Sequence, residues 1–156
     1  MHVRHEDVLR FWFEELAPEQ WWRTEAALDR RIGDRYHGLL EQARQGELYP
    51  WRSTAEGRLA EIIVLDQFSR NVYRNTRAAF AQDPMALVLA QEAVAADTHR
   101  ALAPTQASFL LMPYMHSESR KIHEAAEALF REHAPASNYE FELKHKVIID
   151  RFGRYP

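Results

Sequence analysis

Apolar residues recur through this chain at the spacing of an α-helix, and β-branched residues rarely alternate with polar ones over the length of a strand. Only five glycines and seven prolines occur in 156 residues, while Ala, Leu, Glu and Arg abound, which reinforces helix. A first helix is expected over 6–16, where Val8, Leu9, Trp12, Phe13 and Leu16 form one stripe and Phe11 points partly away. A second runs to Arg44 from a Thr24 cap, with Leu28, Ile32, Tyr36, Leu39 and Ala43 on one face. Thr54 is placed to cap a third, to about Phe68, carrying Leu59, Ile62, Ile63 and Leu65. Asp83-Pro84 opens a fourth, with Leu87, Val88, Ala90 and Val94 inward. Pro104 starts the next segment, which Pro113 must kink or restart. Helices over 118–132 and 138–151 follow, the last with Ser137 and Glu140 at capping-box spacing and Gly153 as its stop. The expected fold is therefore all-α: six to seven helices in antiparallel pairs, as a tetratricopeptide-like bundle or a short right-handed stack. No linker or low-complexity tract divides the chain, so a single helical domain over 1–156 is expected. A 34-residue period is not matched by tetratricopeptide signature residues.

Composition narrows the chemistry. Cysteine is absent, which excludes disulfides, thiolate metal sites and a cysteine nucleophile. Twenty Lys plus Arg against twenty-three Asp plus Glu give a net charge of -3 with the signs interspersed, so nucleic-acid binding is not expected. Charged residues at the start occupy the place where a secretory signal needs an apolar stretch of roughly 7–15 residues, and the cytoplasm is the expected compartment. The apolar runs at 62–65 and 109–115 fall short of the ~20 residues that span a bilayer, so no membrane association is expected.

Several stretches resemble one bacterial family. They are Val8-Leu9-Arg10-Phe11-Trp12-Phe13 with Trp21-Trp22, the run from Gly57 through Leu65-Asp66-Gln67-Phe68-Ser69-Arg70-Asn71, Met112-Pro113-Tyr114-Met115-His116-Ser117-Glu118, and Ile149-Asp150-Arg151-Phe152-Gly153-Arg154-Tyr155-Pro156. Together they resemble the domain of unknown function number 924, and the resemblance covers nearly the whole chain. It implies a tetratricopeptide-type helical fold and transfers no substrate, cofactor or catalytic residue. Ser69 stands where the family pattern has proline, and the chain ends at Pro156 where the pattern continues.

Chemistry must then be sought in the residues. Asp66 and Arg70 are four apart and share a helical face, with Arg58 about two turns earlier. They read either as a partly buried ion pair, with Gln67 and Asn71 satisfying loose backbone groups, or as an acid, base or ligand anchor. His116-Ser117-Glu118 follows the Pro113 break, where Ser117 is a candidate N-cap. An unbroken helix would instead put His116, Arg120 and His123 on one solvated or interface stripe. Asp66, His116, Glu118 and His145 are the pool for a metal, but neither His-Glu-x-x-His nor paired Glu-x-x-His occurs, so no metal and no cofactor are expected. A nucleophile elbow and a phosphate-cradling glycine loop are missing too. Two arginine groups remain, Arg70 with Arg74 and Arg77, and Arg151 with Arg154, each able to clamp a carboxylate or phosphate. Aromatics Phe11, Trp12, Phe13, Trp21, Trp22 and Trp51 concentrate in the first third, and Phe11 or one of Trp21 and Trp22 is expected to stay exposed.

The leading expectation is a binding or scaffold domain with a polar groove lined by Asp66, Arg70, His116 and Glu118, taking a small anionic molecule or a peptide. Its wider candidate set adds Arg58, Asn71, Ser117, His145, Arg151 and Arg154. Two alternatives stay open: an enzyme using Asp66, His116 and Glu118 for acid–base or metal-assisted chemistry, and a self-associating homo-oligomer.

Overall fold

The computed structural model describes residues 2–156; Met1, at the head of the charged amino-terminal stretch, lies outside them. Among the described residues the regular elements are all helical and no strand occurs. The α-helices are α1 (His5–Arg10), α2 (Ala26–Arg44), α3 (Ala55–Ile63), α4 (Ser69–Val72), α5 (Asp83–Ala95), α6 (Pro104–His116), α7 (Arg120–His133) and α8 (Ala136–Phe152). They sort into two compact units, one ending at Gln82 and the other beginning at Asp83.

In the first unit, α1 runs on as a π-turn over Phe11–Glu15 before Leu16 leaves in an extended conformation. A π-turn holds more residues per turn than an α-helix, so it shifts the phase of the side chains that follow. Val8, Phe11 and Trp12, at i, i+3 and i+4, share the inward face, and Phe11 is fully buried rather than turned partly away. The exposed member of the aromatic set is Trp22, at 56%. Phe11 packs edge-on against Tyr36 at 5.2 Å, and Tyr36 stacks on Phe68 at 5.0 Å. Each such buried ring contributes about 2 to 3 kcal/mol, so this cluster ties the π-turn to α2 and to the segment after α3.

The apolar face of α2 is the one its spacing predicts, with Leu28, Ile32, Tyr36, Leu39 and Ala43 buried. Its N-cap is Glu25 instead of Thr24, and no side chain caps it. Thr54 does cap α3, its hydroxyl oxygen accepting from Gly57 N at 2.9 Å. At Gly57 the chain passes so close to the preceding turn that a Cβ would lie 1.9 Å from the Trp51 carbonyl oxygen. From α3 the backbone continues through a second π-turn, Val64–Phe68, into α4 as one rod, four residues beyond the expected end. Leu59 through Ser69 are buried without interruption, polar members included.

In the second unit, α5 packs on α6, and α7 packs on both α6 and α8. The buried stripe of α5 is Ala86, Ala90 and Ala93, while Val88, expected inward, is 54% exposed. Small side chains at i, i+4 and i+7 allow a close approach that Val and Leu would prevent. Pro113 sits inside α6 without ending it. Helix α7 is capped by Ser119, whose oxygen accepts from Ile122 N at 3.3 Å, so Ser117 is not its N-cap. Helix α8 starts after Pro135, which places Ser137 and Glu140 inside the helix and not in a capping box. Gly153, at φ +73°, ends α8 in the left-handed conformation and donates its N–H to the Ile149 carbonyl at 2.8 Å. Among the described residues no helix is long and apolar enough to cross a membrane.

Candidate functional site

The i, i+4 spacing of Asp66 and Arg70 becomes a real pair. Arg70 Nη1 donates to Asp66 Oδ1 at 3.2 Å and to the Asp66 carbonyl oxygen at 2.8 Å. A π-turn offsets the helical hydrogen-bond ladder, and a guanidinium here supplies a donor to a carbonyl within it. Gln67 Nε2 donates to Asp66 Oδ2 at 2.7 Å, and Asp66 is buried. Asn71 Nδ2 donates to Asp29 Oδ1 at 2.9 Å. Gln67 and Asn71 thus serve carboxylates, not the loose backbone groups expected of them. Asp29, on α2, also receives Arg74 Nε at 2.7 Å and Nη2 at 3.2 Å, a two-pronged pair that raises the Arg74 pKa further through its hydrogen bond.

After α4 the chain turns sharply. Asn75 adopts φ +68°, a conformation that Asn tolerates better than most residues, and Arg77–Ala79 form a single 3-10 turn. This geometry gathers Arg70, Arg74, Asn75, Thr76, Arg77, Ala79 and Phe80 around a pocket of about 500 Å³. Its volume falls within the ~300–1,000 Å³ of small-molecule sites. The Arg70 guanidinium lies 5.2 Å from the centre of the Phe80 ring, and Phe80 is 60% exposed. Arg77 is exposed, and its side chain makes no hydrogen bond or ion pair among the described residues. Arg74 commits two of its five N–H donors to Asp29. One arginine group therefore converges as its sequence proximity suggested.

Arg58 is half-buried on α3 and takes no part in this cluster. Arg52, in the turn before α3, makes a bidentate pair with buried Glu61, at 2.7 and 2.8 Å.

In the second unit the turn after α6 is held by its own residues. Ser117 Oγ accepts from Ser119 N at 3.1 Å, and Glu118 Oε2 accepts from Tyr155 N at 2.7 Å. His116, at the end of α6, is half-buried. The stripe of His116, Arg120 and His123 does not form, because the helix breaks at 117–119 and His123 turns fully inward. His123 Nδ1 lies 2.8 Å from Glu142 Oε2, and Nε2 lies 2.6 Å from the Ser117 carbonyl oxygen. The Tyr155 hydroxyl donates to the Met115 carbonyl and stands 3.1 Å from His123 Nε2. Both ring nitrogens face acceptors, an arrangement that an imidazolium satisfies fully. Burial opposes that charge, but the hydrogen bond and charge of Glu142 outweigh it and lift the His123 pKa. Burial likewise raises the Glu142 pKa, against the pull of His123. With Nε2 occupied by a carbonyl, His123 is held for structure.

His145 lies next to this network, its ring edge-on to Tyr155 at 5.5 Å and Nδ1 bonded to the Phe141 carbonyl at 2.7 Å. Arg151 stacks on Phe152 at 5.3 Å, whereas Arg154 lines a separate, mainly apolar hollow with Ile148, Phe152, Tyr155 and Pro156. Of the second arginine group, Arg154 lines this hollow and Arg151 does not. Of the expected groove, Asp66 and Arg70 lie in the first unit and His116 and Glu118 in the second. No group of three or more His, Asp or Glu is arranged as metal ligands among the described residues.

Reading the sequence missed Asp29, Arg52, Glu61 and Glu142. A signal existed for two of them: Glu61 stands in a run of apolar residues, and Glu142 falls one helical turn after Asn138 on the face that leads to Ile149. Asp29 and Arg52 carried none, because their partners lie 45 and 9 residues away.

No functionally curated protein matches this chain. A solved structure from Agrobacterium tumefaciens, the protein of unknown function ATU0120, is similar over 97% of this chain and 85% of its own, at 31% identity and a TM-score of 0.92. A family described as "Bacterial protein of unknown function (DUF924)" matches residues 8–156, and the chain belongs to that family.

Proposed function

We propose that this protein is a helical binding domain that takes a small anion in the pocket between Arg70 and Phe80. The observation that carries this reading is the trio of arginines on one pocket wall, two held by aspartates and the third, Arg77, facing solvent with its charge uncompensated. Asp29 fixes Arg74 in place, so its remaining N–H groups are set before a ligand arrives, which lowers the ordering cost of binding. Guanidinium pairs recognise planar carboxylates and phosphate oxygens with two parallel hydrogen bonds, the chemistry such a wall offers. An anionic side chain or chain end of a peptide would meet the same donors.

A thermal-shift screen at constant ionic strength, with acetate, benzoate, phosphate and sulfate against chloride, tests the reading. A ligand at 100 times its Kd adds about 2.7 kcal/mol of stability. The reading expects a shift in the native protein that Arg77→Ala abolishes while keeping its own melting temperature. A flat screen, or a shift that survives in Arg77→Ala, would contradict it.

A further inference from the structure

The charges around the pocket go further than anion binding in general, and the inference here rests on that reading. Arg74 is neutralised by Asp29, whose two carboxylate oxygens receive its Nε and Nη2. Arg70 is paired with Asp66 through Nη1. Arg77 has no counter-charge among the described residues. Of the three guanidiniums that line the pocket, that of Arg77 is the one without a carboxylate partner among the described residues.

We infer that the pocket is built for an aromatic or otherwise flat apolar monocarboxylate, held between Arg77 and the outer N–H groups of Arg74 with its body against Phe80. A single carboxylate matches the one free charge. A phosphate monoester, carrying close to two negative charges near neutral pH, brings more charge than the single unpaired guanidinium matches and sets it near the Asp29 carboxylate, and an unpaired charge disfavours a ligand. Geometry agrees with the charge count. A carboxylate offers two coplanar oxygens to the fork of a guanidinium, and the Asp29–Arg74 pair already shows this mode in the pocket wall. The apolar part follows from Phe80. Its ring is 60% exposed in a unit that buries Phe11 and Phe68 completely. It lines the pocket beside Ala79, with the Arg70 guanidinium 5.2 Å from its centre. A flat ligand ring adds a second partner to that arginine–aromatic stack.

The test is calorimetric titration of the native protein with four probes: benzoate, acetate, phenyl phosphate and inorganic phosphate, each repeated with Arg77→Ala and Phe80→Ala. Both substituted residues are exposed, and unchanged melting temperatures would establish that the variants fold. The expected result is benzoate binding at least about tenfold more tightly than acetate or phenyl phosphate, a difference of about 1.4 kcal/mol. Arg77→Ala should abolish it, and Phe80→Ala should bring benzoate down to the level of acetate. Phenyl phosphate or phosphate binding as tightly as benzoate would overturn the monocarboxylate assignment and leave an anion site standing. Acetate equal to benzoate would overturn the aromatic half. No binding by any probe would overturn this inference together with the anion-binding reading beneath it.

Discussion

Replacing Glu142 by Ala should be among the most destabilising single changes available to the second unit. Glu142 and His123 are both wholly buried and 2.8 Å apart, and the other imidazole nitrogen is held by the Ser117 carbonyl at 2.6 Å. Removing the carboxylate leaves an imidazolium, or a misprotonated imidazole, with no compensating group in an apolar setting. Breaking a buried pair from one side costs about 3–5 kcal/mol, whereas replacing both partners with apolar residues is often close to neutral. At roughly 2–4 °C per kcal/mol for a chain of this size, Glu142→Ala should lower the melting temperature by about 10 °C. The double variant His123→Leu, Glu142→Leu should recover most of that loss. The pH dependence carries a sign. A histidine whose folded pKa is raised contributes stability that is fully present below its unfolded value of about 6.5 and is lost as pH rises through the folded value. The native protein should therefore lose stability relative to the double Leu variant as pH goes from 6 towards 9. Urea unfolding followed by circular dichroism at both ends of that range measures the difference. A loss below about 1 kcal/mol in Glu142→Ala, or parallel pH profiles for native protein and double variant, would refute the reasoning.

Other consequences are equally specific. Gly57→Ala puts a methyl group where only 1.9 Å separates it from the Trp51 carbonyl oxygen, and a shift of backbone costing about 2–3 kcal/mol should appear as a lower urea midpoint. Arg52→Ala strands the buried Glu61 carboxylate; because Arg52 is a third exposed, the expected loss is about 2 kcal/mol, checked by the same titration. His99 behaves oppositely to His123. Burial, then the neighbouring His133 ring at 4.6 Å, lowers its pKa, so its contribution is present above about pH 6.5 and is lost as pH falls. His99→Phe should flatten the stability profile between pH 7 and 5, and an unchanged acid limb would count against the assignment.

Much of this architecture was legible in the residues. The apolar face of α2 and the Thr54 cap follow from spacing and side-chain chemistry within one or two turns. Local chemistry was less decisive at helix starts where several cap-forming residues compete. Ser119 took the role read for Ser117, and Pro135 opened α8 before Ser137 could. The two π-turns left no sequence signature, although Phe11 and Trp12 stand in one and Asp66 and Gln67 in the other. At the candidate site, Arg70, Arg74 and Arg77 were recognisable because eight residues of chain contain all three. Asp29, which orients Arg74 from 45 residues away, was not, since pairing between distant elements is a property of packing and leaves no local pattern.

The central claim is that residues 70–80 of the first unit form a ligand site, and backbone amide NMR tests it most directly. Titrating benzoate into uniformly labelled protein should move the amide signals of Arg74, Asn75, Thr76, Arg77 and Phe80 in a saturable way, and Arg77→Ala should remove the effect. Saturable shifts centred elsewhere, for example on Arg154 and Tyr155, or no saturable shift at all, would contradict the account.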